Sequence, residues 1–209
     1  MSSFRFLYIN VIIIAVLVSF IGCGCGSDSE SVSSSGILGK LPSIANDGVS
    51  KITDLEADLK SASESNDING YAETKKEIDE VENSCETEMT KFISETKSIE
   101  VPCFEEGDNG KFTLKNVIVK SASLGSKHAR LGMVLNFEAK ADYPRETYFS
   151  HGYFIDSKDQ VIGERVVFAS NRGEVKQGQI VELNGYYDGL EKLGDAVKIK
   201  IVFGNPYEK

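Results

Sequence analysis

The hydrophobic period of this chain changes once, near Pro102 and the polar run Glu105-Glu106-Gly107-Asp108-Asn109-Gly110. A helix repeats about every 3.6 residues and a strand every two, so the change divides the chain into two kinds of structure. Before the break, Val49, Ile52, Leu55, Leu59 and Ala62 recur at spacings of three and four, as do Ile78, Val81, Cys85, Met89 and Phe92. Ser65-Asn66-Asp67-Ile68-Asn69-Gly70 separates the two stretches with residues that cap and turn, which predicts an antiparallel helical hairpin over 41–101. After the break, Leu131, Met133, Leu135, Phe137 and Ala139 alternate with other residues, and Val197, Ile199, Ile201 and Phe203 do the same. Further strands are expected near 112–121, 148–156, 160–169 and 179–186. Six or seven short strands with no intervening helical period predict an antiparallel β-sandwich over 102–209, and an α+β chain as a whole.

The apolar stripe of each helix is narrow, which suits pairing with one neighbour. Two arrangements follow: an oligomerising coiled coil or stalk that projects the next domain, or a hairpin packed on that domain. Helices only a few heptads long favour the second. Charge marks the same division, because Lys40 to Asp108 carries seven basic and eighteen acidic residues, whereas Lys111 to Lys209 carries fifteen basic and twelve acidic. Neither part has the density of lysine and arginine that nucleic-acid binding needs.

The N-terminus bears on location. Arg5 precedes an apolar run from Phe6 to Ile21 that includes Asn10, about 16 residues long and short of the roughly 20 that a spanning helix requires. Phe20-Ile21-Gly22-Cys23 resembles the lipobox of bacterial lipoproteins, although Phe20 stands where leucine is usual. The resemblance implies a signal peptide over 1–22 and a lipid on the thiol of Cys23, with Cys25 as the alternative; an uncleaved membrane anchor is the bland reading. Residues 23–40 continue as a serine-rich tether whose composition offers little to bury. An exported chain can keep disulfides, so Cys85 and Cys103 are a candidate pair, balanced against two ordinary buried thiols.

Tyr153-Phe154-Ile155-Asp156-Ser157-Lys158-Asp159-Gln160-Val161-Ile162-Gly163, with Gly178-Gln179 opening a later strand, resembles the small immunoglobulin-like domains of bacterial envelope proteins, the FxLYD type among them. Gly152 departs from that pattern, in which an aromatic residue leads. The resemblance implies an extracytoplasmic sandwich used as a spacer or binding module and brings no catalytic residues with it.

Chemistry-bearing motifs are sparse. The chain has no GxSxG, no HExxH, no phosphate-binding glycine loop and no spaced cysteine–histidine cluster. His128 and His151 are its only histidines. Asp156 and Asp159 could offer oxygen ligands to calcium, but their spacing is that of an Asx-capped hairpin turn. Tyr143, Tyr148, Phe149, Tyr153, Tyr186 and Tyr187 are too many for one core face; they form either a protein or carbohydrate contact surface or a layer covered by the acidic hairpin, and the second is preferred. The expectation is therefore a lipid-anchored envelope protein without enzymatic activity or cofactor, facing periplasm or exterior and binding or assembling with an envelope protein or glycan. A cell-wall hydrolase and a self-assembling stalk are the rival readings.

Overall fold

The computed structural model describes residues 36–107, 110–125, 128–144, 147–171 and 173–204. The signal peptide, Cys23, Cys25 and the tether through residue 35 lie outside the described residues. Helix α1 spans Leu41–Glu64 and α2 spans Ile68–Glu95. Pro42 sits in the first turn of α1, where a missing N–H costs nothing. Asn66 takes a left-handed φ of 56°, and the Asp67 carboxylate accepts from the Gly70 N–H at 3.0 Å to start α2. The chain thus reverses where its capping residues cluster. No helix among the described residues is long and apolar enough to cross a membrane.

The hairpin is half embedded. The buried residues of α1 run from Leu41 to Ile52, and those of α2 are Ile78 and Met89. Beyond them the helices have mainly each other, and Ile68 and Tyr71 at the turn are 81% and 42% exposed. In the embedded half, a Cβ on Gly48 would lie 2.5 Å from Leu124 Cδ2 and 2.8 Å from Cys85 Sγ. Glycine there lets α1 approach both α2 and the sheet.

Eight strands follow: β1 (Ile99–Val101), β2 (Cys103–Glu105), β3 (Phe112–Leu124), β4 (Ala129–Ala139), β5 (Thr147–Ile155), β6 (Val161–Asn171), β7 (Ile180–Asp188) and β8 (Lys198–Phe203), with a 3₁₀ turn at Leu190–Lys192. Their order is β1-β3-β4-β7-β6-β5-β8-β2. The two ends of that order are consecutive in the chain. β1 pairs antiparallel with β3, β2 pairs parallel with β8, and Pro102 between them accepts from the Ile199 N–H at 2.8 Å. Residues 99–105 therefore act as one closing strand, and the sheet returns on itself as a barrel does. β5, β6 and β7 form a meander with β8 returning beside β5, a Greek key.

Strands β3 to β8 fall where alternation predicted them, and the helical pair followed by a β unit is the expected α+β order. Several expectations change. Eight strands, where six or seven were expected, share one continuous sheet, because the closing segment supplies both ends. That sheet starts at Ile99, ahead of the boundary expected at Pro102. The folded unit starts within the expected tether: the Ile37 N–H donates to Ala196 O at 2.9 Å, and Leu38 is fully buried. The hairpin packs on the β unit, since Leu38, Leu41, Ala45, Ile52 and Met89 share one core with Leu124, Ala129, Leu190 and Leu193.

Cys85 and Cys103 are both free thiols. Helix α2 continues ten residues past Cys85, carrying the chain about 15 Å, and Cys103 is then held opposite Ile199 on β8. Burial raises the pKa of both thiols.

The interior is filled according to the pleat. A Cβ on Gly152 would lie 2.9 Å from the Phe168 ring and one on Gly185 2.5 Å from it, so two glycines on β5 and β7 leave the room that Phe168 occupies. The space beside Gly152 is thus filled from the neighbouring strand. One end of the sheet holds Phe112, Phe137, Tyr148 and Phe203, with the Phe112 and Phe137 ring centroids 4.3 Å apart. The other end, where Leu124 pairs with Ala129, is covered by the hairpin. Phe168→Ala would leave a cavity between two glycines that have no side chains of their own to fill it. The expected cost is about 3–5 kcal/mol, read as a lowered urea midpoint at unchanged slope.

Candidate functional site

Alternation along β8 buries Ile199 and Ile201 and turns Lys198 and Lys200 outward. The register aligns Phe104 of β2, Lys200 of β8 and Tyr153 of β5 in one outward row. Lys200 Nζ lies 5.5 Å from the Tyr153 ring centroid and 2.9 Å from Glu106 Oε2. Lys198 Nζ lies 5.3 Å from the Phe104 centroid and 2.5 Å from Asp159 Oδ1. The next row runs Val202, His151, Val167, Tyr186 across β8, β5, β6 and β7. The Arg130 guanidinium stands 6.0 Å from the Tyr186 ring, and its Nε lies 2.6 Å from Asp188 Oδ1. Phe104 is 41% exposed and Tyr186 63%. Phe104, Tyr153 and Tyr186 therefore each have a cation over the ring, itself held by a carboxylate. Such a face can stack on apolar or planar groups and offer tyrosine hydroxyls and cationic N–H donors at its edges.

The structure divides the tyrosines singled out by sequence. Tyr153 and Tyr186 remain on the outward face. Tyr148 and Tyr187 do not belong to a contact surface, being 5% and 2% exposed. Tyr148 shares the inward parity of Ser150 and Phe154, and Tyr187 packs 5.3 Å from Phe154. Tyr143 is half-buried with its ring 5.2 Å from Phe112, and its hydroxyl donates to Lys111 O. The hairpin does not cover these aromatics either, because it packs chiefly on β3, β4 and the 3₁₀ turn. Sequence reasoning missed Phe104, whose strand is only three residues long. The alternation of Ile99, Glu100 and Val101 beside it was the available signal.

The remaining candidates resolve into structure. Asp156 Oδ1 accepts from the Lys158 and Gln160 N–H groups at 2.8 and 2.9 Å, and Asp159 takes a φ of 62°, which is an Asx-capped hairpin turn. His128 Nδ1 is 3.9 Å from Glu191 Oε1 at the start of β4. His151 lies on the outward face, where its Nδ1 is buried without a hydrogen-bond partner among the described residues. Burial, and after it the charge of Arg165, lowers the pKa of its imidazole. No group of three or more histidine, cysteine or acidic side chains among the described residues is placed to hold a metal ion. No protein-family model, curated protein or solved structure matches the chain.

The state of His151 has a measurable consequence. In the unfolded chain it takes up a proton near its ordinary value of 6.5, while the folded protein resists protonation to lower pH. Below about pH 6.5 the unfolded state binds the additional proton, so this contribution to stability is complete above 6.5 and diminishes as pH falls. His151→Gln should therefore lose less thermal stability than the parent between about pH 7 and pH 5. Equal losses by circular dichroism melting would refute the assignment.

Proposed function

We propose that this chain is a lipid-anchored cell-envelope protein of non-enzymatic type. In this reading, residues 1–22 are a signal peptide removed on export, Cys23 carries the lipid with Cys25 as the alternative, and the folded unit faces periplasm or exterior. Its task is to bind or assemble with an envelope protein or glycan, with no nucleic acid among its partners. The immunoglobulin-like likeness belongs to the same proposal. It is supported by the run from Tyr153 to Gly163, with its Asx turn at Asp156, and by the Greek-key order of β5 to β8.

One observation carries the binding role: Phe104, Tyr153 and Tyr186 face outward on a closed sheet, each beneath a cation. A closed sheet does not need aromatic rings on its outer surface for its own core, and rings combined with cations are the residue types that interfaces concentrate. Crosslinking on intact cells with the native anchor tests this. The parent chain is expected to recover one defined protein or glycan, and Phe104→Ser with Tyr186→Ser to reduce recovery about tenfold or more, the scale of a hot-spot loss. Recovery of no defined partner, or undiminished recovery by the double variant, would overturn the proposal. Fractionation tests the anchor separately. Cys23→Ser should move the protein to the soluble fraction, whereas retention would assign the lipid to Cys25 or leave the apolar segment uncleaved.

A further inference from the structure

A second surface, separate from the aromatic face, lies along the seam of the hairpin. Partway along the hairpin, the seam between α1 and α2 opens into a groove of about 510 Å³. Leu55 of α1 with Val81 and Cys85 of α2 form its apolar part, all half-buried, and Asp54, Glu77 and Glu80 supply the carboxylates against a single cation, Lys51. Residues at these spacings lie on the adjoining faces of the two helices, so a third helix laid along the seam would find apolar side chains already aligned to meet it.

Charge identifies the occupant. From Leu41 to Glu95 the helices carry fourteen acidic and five basic residues. Glu80 is paired with Lys76 at 3.1 Å, but Asp54 and Glu77 make no ion pair among the described residues. Partial burial, and after it the charges of Asp79 and Glu86, raises the pKa of Glu82 on the same helix. A second copy presenting the same seam would bring two strongly acidic hairpins together, and an anionic bilayer would be repelled in the same way. We infer that the groove between α1 and α2 receives a basic amphipathic helix from a partner protein, its apolar stripe on Leu55 and Val81 and its lysines or arginines against Asp54, Glu77 and Glu80.

This inference goes beyond the aromatic face, and its test is independent of that face. The probe is a synthetic helix of about 18 residues with leucine at helical spacing and lysine elsewhere, titrated against the full chain by fluorescence anisotropy. Saturable binding is expected, weakened about tenfold or more by Asp54→Asn, Glu77→Gln and Glu80→Gln together, since these carboxylates are the groove's partners for the lysines of the bound helix. A control with the same loss of charge outside the groove, Asp58→Asn, Glu64→Gln and Glu73→Gln, should weaken it less than about threefold, and Phe104→Ser with Tyr186→Ser should leave it unchanged. Val81→Ser should also weaken it, with circular dichroism confirming that the variant is folded. Absence of saturable binding, equal loss in the two triple variants, or groove-dependent self-association of the chain would overturn the inference. Loss of partner recovery on cells without loss of probe binding would implicate the aromatic face alone.

Discussion

The architecture depends on the seven residues from Ile99 to Glu105. A strand at a sheet edge leaves a row of unpaired N–H and C=O groups, and both ends of this sheet would do so without that segment. Ile99–Val101 satisfies β3, Cys103–Glu105 satisfies β8, and the transfer from one neighbour to the other occurs at Pro102. Proline suits this position because it has no N–H to leave unpaired, while its carbonyl still accepts from Ile199. Closure also sets the inward and outward parity of every strand, since each side chain then faces either the enclosed core or the outside.

From that parity the packing follows. Inward positions must fill a space of limited width, and Phe168 does so where Gly152 and Gly185 withdraw. The aromatic cluster around Phe112 fills one end, and the other is completed by the embedded half of the hairpin through Leu41, Ala45 and Met89. The hairpin therefore has two energetic regimes. Near the sheet its apolar residues are fully removed from water, and toward Ile68 and Tyr71 they are shared only between two helices. The free half gains less from burial, and there the charged residues dominate the character of the surface.

The same parity separates structural from functional aromatics. Tyr148, Tyr153, Tyr186 and Tyr187 look equivalent in the sequence, but two point inward and two outward. Adjacent tyrosines on one strand, such as Tyr186 and Tyr187, must face opposite sides, and that much is legible without coordinates. Which of the two faces water depends on the register with β4 and β6, set by partners distant in the chain. Phe104 was harder still to read, because a three-residue strand carries almost no periodic signal and exists only through its pairing with β8.

The sequence by itself determined the elements: two amphipathic helices joined at Asp67, strands where side chains alternate, an Asx turn at Asp156, and an acidic first part against a mildly basic second. These are local matters, decided by residues within one turn or one strand of each other. Only the tertiary structure decided that one closing segment joins both ends of the sheet, that Cys85 and Cys103 remain apart, and that Leu38 belongs to the core. It also decided which aromatics lie beneath Lys198, Lys200 and Arg130, and where the helical seam opens. Each of these turns on pairings between residues distant along the chain, and the period of a local segment cannot encode its partner.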